Sequence, residues 1–131
     1  MKRLLVIVLV LCTAFLLFYC SKTHVSSHAK VTLTFAVHGE DIRVVLPDDE
    51  AARVIDIIDG NHYDPMGYGI PACGFGVDVT LKVGMRTFAI AQDKCGCVRD
   101  LGNLRFFSIS DEDIQYIHAL FEKYGGYFPC V

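Results

Sequence analysis

The chain opens on an unbroken apolar block and then changes to alternation. Leu4 to Tyr19 are sixteen positions without charge, Pro or Gly, behind the basic start Met1-Lys2-Arg3. After a short polar stretch, Val31, Leu33, Phe35 and Val37 alternate with Thr32, Thr34 and Ala36. A period of two is the mark of a half-buried strand. Gly39-Glu40-Asp41 makes a turn, and Ile42, Val44 and Leu46 resume the alternation, so the pair is predicted to be a hairpin. Pro47-Asp48-Asp49-Glu50 opens a helix, because free N–H groups and the helix dipole favour Pro and carboxylates there. Ala51, Val54, Ile55 and Ile58 form its apolar stripe, and Gly60 is expected to cap it in a left-handed conformation.

Residues 61–76 carry too much Gly and Pro for a regular element. Phe75, Val77, Val79, Leu81 and Val83 then predict a third strand, Val83-Gly84 a turn, and Met85 to Gln92 a returning strand with Phe88 and Ile90 inward. Asp93 to Gly102 reads as a second irregular segment, and Asn103 to Ile109 as a fifth strand. Ser110-Asp111-Glu112-Asp113 has the form of a capping box, a hydroxyl followed three residues later by a carboxylate. Ile114, Ile117, Phe121 and Tyr124 give the last helix its apolar face, and Gly125-Gly126 stops it. The predicted order is β-β-α-β-β-β-α. Hairpin neighbours imply an antiparallel sheet with two helices packed on one face, an α+β fold. Thr32, Thr34, Asp78, Thr80, Lys82 and Arg86 are expected on the opposite, polar face.

The N-terminal pattern divides the chain into three parts: residues 1–20, a signal peptide or membrane anchor; 21–29, a polar tether; and 30–131, an extracytoplasmic domain. A positive start stays on the cytoplasmic side while the apolar run enters the bilayer. Three fates follow. Cleavage could fall near Val25-Ser26-Ser27 or Ser27-His28-Ala29 and release the domain. The run could remain as an anchor, although sixteen helical residues rise only about 24 Å against a hydrocarbon core of about 30 Å. Or Cys20 could be lipidated. Leu17-Phe18-Tyr19-Cys20 resembles a bacterial lipoprotein box in its Leu and Cys, and the resemblance implies lipid on Cys20. Tyr19 stands where that box carries a small residue.

Composition narrows the function classes. The segment from Lys30 onward holds all fifteen acidic residues and nine of the twelve basic ones. That sign disfavours nucleic acid as a partner. A domain of this size buries a modest core and gains from cross-links. Cys73, Cys95, Cys97 and Cys130 are an even set in an exported domain and predict two disulfides. A bridge across Gly96 alone is strained, so the expected pairings join Cys73 and Cys130 to the two members of Cys95-Gly96-Cys97.

Other chemistry is sparse. Cys95 and Cys97 could instead form a redox dithiol, or join Cys73 or His62 around a metal, although structural zinc sites use longer Cys spacings. Cys73, His62 and Asp93 could be written as a thiol hydrolase set. Asp56, Asp59, Asn61 and Asp64 offer oxygen ligands for calcium, without the spacing of a calcium-binding loop. No convergent catalytic set and no cofactor motif stand out. The long loop carries large side chains, with His62, Tyr63, Met66, Tyr68 and Phe75 as candidate interface anchors. The expectation is a small exported or membrane-anchored domain, non-enzymatic, that binds an unidentified protein partner through residues 61–75. A thiol enzyme or redox protein and a metal carrier are the alternatives.

Overall fold

The computed structural model describes residues 2–37, 39–65, 74–93 and 95–125. The elements in chain order are α1 (Lys2–Tyr19), β1 (Val31–Val37), β2 (Glu40–Val45), α2 (Asp48–Ile58), β3 (Phe75–Val83), β4 (Arg86–Ala91), β5 (Cys97–Asp100), β6 (Arg105–Ser108) and α3 (Asp111–Gly125). The six strands form one sheet in the order β2-β1-β3-β4-β5-β6, antiparallel throughout. The fold is α+β, as the alternation predicts, with one strand more than expected. The extra strand is β5, in the segment read as irregular. It is four residues long, with a single aliphatic side chain, Val98, between glycines at 96 and 102. Its assignment comes from pairing with β4 and β6 rather than from its own pattern.

The core lies between one sheet face and the helices α2 and α3. Val31, Leu33 and Phe35 from β1, Val79, Leu81 and Val83 from β3, and Phe88, Ile90, Val98 and Phe107 meet Val54, Ile55 and Ile58 of α2 and Ile114, Ile117 and Phe121 of α3. Phe35 meets Phe121, and Phe88 meets Phe107, edge to face. Burying side chains of this size stabilises the fold by roughly 1.5–3 kcal/mol each. The helices begin where the sequence implies. Three carboxylates fill the first turn of each. Asp113 donates its backbone N–H to Ser110 Oγ at 3.1 Å, which forms the expected cap. Gly60 has a φ of +73°, the left-handed value read from its position after α2.

Gly125 is the last residue of α3, and it has a second role. A Cβ there would lie 2.2 Å from the Phe35 ring, so the absence of a side chain lets α3 close onto β1. Among the described residues no side chain of α1 belongs to the core, and the aliphatic side chains from Leu4 to Leu17 are exposed along the helix. Eighteen residues rise about 27 Å, and among the described residues no helix is long and apolar enough to cross a membrane.

Two expectations about sheet faces change. Arg86 pairs with Val83 and lies in phase with Phe88, so it sits on the core face rather than the polar one. Phe75 leaves the core face because the β3–β4 register shifts between Phe75 and Thr80. It packs with Ala91, Cys97 and Phe106 in a separate cluster. Five positions of β3 lie opposite two of β4 there, a slip of three residues, and an odd slip reverses the facing of everything beyond it.

Candidate functional site

The residues nominated by the sequence fall into two places. One is a buried polar cluster that fastens the tether to the sheet. Tyr63 is only 5% exposed and Asp100 is fully buried. Tyr63 Oη donates to Asp100 Oδ2 at 2.5 Å, and Arg86 Nη2 donates to the same carboxylate oxygen and to Tyr63 Oη. Asp100 Oδ1 accepts the Gly102 N–H at 2.9 Å, which shapes the turn between β5 and β6. Burial, then the hydrogen bond to Asp100, pushes the Tyr63 phenol above its ordinary value. Burial acts to lower the Arg86 value, but the hydrogen bond and charge of Asp100 outweigh it and the net shift is upward. Tyr63 is therefore not a surface anchor. Its hydroxyl has a partner only inside, and the Arg105 guanidinium stacks over its ring at 4.4 Å.

The same cluster reaches the chain behind α1. Arg86 Nη1 donates to the His24 carbonyl at 2.9 Å, and Arg105 Nη1 to the Cys20 carbonyl at 3.0 Å. Lys22 forms an antiparallel bridge with His62. Tyr63 N–H donates to Ser21 O and Gly60 N–H to Thr23 O, each at 2.9 Å. Thr23 is fully buried. Its hydroxyl donates to Ile58 O at 2.5 Å and accepts the Asn61 N–H at 3.0 Å. The polar tether read from sequence at residues 21–29 is docked over its first half, and with Cys20 it forms a strap over residues 20–25. Their hydrogen bonds go to backbone groups left over at the end of α2, and no hydrophobic period announces such a partner.

The second place joins the two irregular segments. The Gln92 N–H donates to Gly74 O at 2.7 Å, and Asp93 Oδ2 accepts the Gly74 N–H at 3.3 Å. Asp93 Oδ1 accepts the Cys95 N–H at 3.2 Å. Asp64 N–H donates to Phe106 O at 2.7 Å, which lays the start of the long loop along β6. The proposed contact loop and the Cys-Gly-Cys segment are thus neighbours. His62 is exposed, and Phe75 is half-buried with its ring 5.7 Å from that of Phe106. Met66, Tyr68, Cys73 and Cys130 lie outside the described residues, as does His38.

The thiols separate by role. Cys95 is disulfide-bonded, whereas Cys97, Cys12 and Cys20 are free. Cys95 and Cys97 are therefore not joined to each other. The two-bridge expectation differs from the structure at Cys97, whose thiol is buried beside Ala91 and Phe106. Burial first, then the carboxylates of Asp93 and Asp64, push that thiol above its ordinary value. A thiol held protonated is a poor nucleophile and a poor ligand.

Two of the nominated oxygen ligands, Asp59 and Asn61, have structural partners. Asp59 Oδ1 accepts the Val25 N–H at 2.9 Å, and Asn61 Nδ2 donates to Ile57 O at 2.6 Å and Ile58 O at 3.0 Å. Those two residues therefore serve the strap and the helix end. Among the described residues there is no group of three or more His, Cys, Asp or Glu side chains that could hold a metal ion.

Sequence reasoning missed the Arg86–Asp100–Tyr63 cluster, and one signal for it was available. Arg86 shares parity with Phe88 and Ile90, so the alternation that placed those two inward placed Arg86 with them. Searches for a matching family model, a curated relative or a solved structure of similar fold returned none.

Proposed function

We propose that this chain is a membrane-anchored, extracytoplasmic binding domain that presents its partner surface away from the anchor. One observation carries the reading: residues 20–25 are built into the domain while α1 is not. A leader that was only a discarded export signal would be cut from a flexible linker. Cleavage near residues 25–29 would instead remove Thr23 from the interior, the Lys22–His62 bridge, and the carbonyl that Arg86 holds. Retention from Cys20 onward preserves all of them. Lipid on Cys20, or α1 kept whole, meets that requirement. The exposed apolar length of α1 fits the same account, because such a surface is stable only in lipid.

The sheet register supports a partner surface remote from the anchor. The chain leaves α1 at the end of the sheet where β6 starts, next to Arg105. Phe75 and Ala91 pair at the other end, where Asp93 and Cys95 also lie. Exposed His62, Asp64 and Pro65 lead along β6 from one end toward the other. We assign partner contact to residues 61–75 together with the Asp93–Cys95 turn, with Tyr63 as the internal fixing point rather than a contact.

Two measurements test this. Intact mass of the protein from its native envelope should show a chain that begins at or before Cys20. A mature chain beginning after Val25 would overturn the anchored form. A photo-crosslinking residue at Pro65, in intact envelope, should yield one discrete adduct that the same residue at Asp56 does not. Identical adducts from both positions, or none, would overturn the assignment of the surface.

A further inference from the structure

The exposed large hydrophobic side chains of the domain are not scattered. Among the described residues outside α1 they are Val45 at 49% exposed, Met85 at 99%, Leu101 at 39% and Leu104 at 57%. The strand registers put all four at one end of the sheet. Thr32 pairs with Val45, and Val31 with Val83, so the end of β2 and the β3–β4 turn flank the start of β1. Val83 pairs with Arg86, Phe88 with Asp100, and Asp100 with Arg105, which brings the β5–β6 turn to the same edge. Met85 forms the tip of one turn, and Leu101 and Leu104 flank the other. The backbone at Leu104 is held at a φ of +59°, in the left-handed region that a branched side chain rarely adopts. The apolar side chain is thus carried on a turn that would suit Gly or Asn better.

This is also the end at which α1 joins the domain. Arg105 follows Leu104 directly, and its guanidinium holds the Cys20 carbonyl at 3.0 Å. We infer that this edge is a membrane-contacting surface: Met85, Leu101 and Leu104 enter the lipid interface beside the anchor and fix the domain's orientation on the bilayer. The inference rests on the anchored reading proposed above and adds to it which face meets the lipid.

The charge at this end selects the kind of bilayer contact. Lys30, Lys82 and Arg105 lie near the turns, while α2 begins three residues after Val45 with Asp48 and Asp49. Arg43 lines the same groove as Lys30, Lys82 and Val45, so this end carries more cations than carboxylates and anionic headgroups would strengthen the contact. The apolar tips should still enter zwitterionic lipid, which isolates their part of the contact. Each methionine or leucine tip that leaves water contributes in proportion to the area it buries. The anchor supplies the high local concentration that lets so small a surface engage.

The chain contains no tryptophan, so a single Met85→Trp substitution gives a unique reporter in the full-length protein. A matching Asp41→Trp at the opposite end of the sheet is the control. Both variants are incorporated into phosphatidylcholine vesicles, with and without bromine on the acyl chains, and recovered by flotation. The expected result is flotation of both, with blue-shifted emission from Met85→Trp that loses most of its intensity in brominated lipid, and unshifted, unquenched emission from Asp41→Trp. Leu104→Asp in the Met85→Trp background should restore most of the intensity, with flotation unchanged. If both proteins float but Met85→Trp behaves like Asp41→Trp, the membrane-facing edge is wrong and the anchor stands. If neither floats, the anchored reading fails and this inference fails with it.

Discussion

Removing the Asp100 carboxylate is the most demanding test of the structural account. Asp100 is fully buried and has three donors: the Tyr63 hydroxyl, the Arg86 guanidinium and the Gly102 N–H. Asp100→Ala leaves the Tyr63 hydroxyl in the interior without that acceptor and Arg86 beside it without its counter-charge. Breaking a buried pair on one side typically costs about 3–5 kcal/mol. A domain of this size has a total stability of about 5–15 kcal/mol. The midpoint of thermal unfolding should therefore fall by roughly 15–30 °C. The strap should loosen with it, because Arg86 also holds His24. Near-ultraviolet circular dichroism of the full chain in mild detergent follows the domain's tertiary packing, because Phe35, Tyr63, Phe88, Phe107 and Phe121 are buried in it. Two companions give the number its meaning. Arg53→Ala breaks an exposed ion pair with Asp113 and should cost no more than about 1 kcal/mol. Arg86→Met combined with Asp100→Leu removes both charges and should recover most of the loss. A change below about 1 kcal/mol for Asp100→Ala alone would show that the cluster does not hold the domain together.

Four further outcomes are expected. Gly125→Ala gains up to about 1 kcal/mol in helix propensity but places a Cβ 2.2 Å from the Phe35 ring. Overpacking of that kind costs about 1–3 kcal/mol, so thermal unfolding should show net destabilisation; a more stable variant would contradict the close approach. Thr23→Val leaves the Asn61 N–H and the Ile58 carbonyl without the hydroxyl that serves both, at about 1–3 kcal/mol, and should speed proteolysis within residues 20–25; unchanged cleavage would refute the docked strap. Cys97, with its thiol pushed upward by burial, should resist iodoacetamide in the native state near neutral pH and react once guanidinium unfolds the domain. His118 is held below its ordinary value chiefly by burial, against a hydrogen bond to Ala91. The native state thus favours neutral imidazole; its stability contribution is present above about pH 6.5 and lost as the pH falls through the lowered value. His118→Gln should flatten the acid side of the stability profile, and an unchanged slope would assign acid sensitivity elsewhere.

Much of this architecture is local enough to read along the chain. Side-chain period sets β1, β3 and the two domain helices, because burial on one face dictates a repeat of 2 or 3.6. Ser110, Gly60 and the acidic first turns mark helix ends through interactions within a few residues. The apolar block at Leu4 to Tyr19 is likewise legible as a helix, and α1 spans it. Composition also set the sign of the domain's charge.

Other features exist only once distant segments meet. β5 is a strand because β4 and β6 flank it, not because Cys97 to Asp100 alternate. Phe75 changes face through a register shift that no single strand encodes. Tyr63 looked like an interface anchor because a loop tyrosine is usually half-exposed; a carboxylate 37 residues away drew its hydroxyl inside. Thr23 was one polar residue in a tether until the open end of α2 supplied its partners. Pattern along a chain reports which side chains avoid water, whereas pairing, register and the partners of buried polar groups are decided by contacts between segments far apart in sequence.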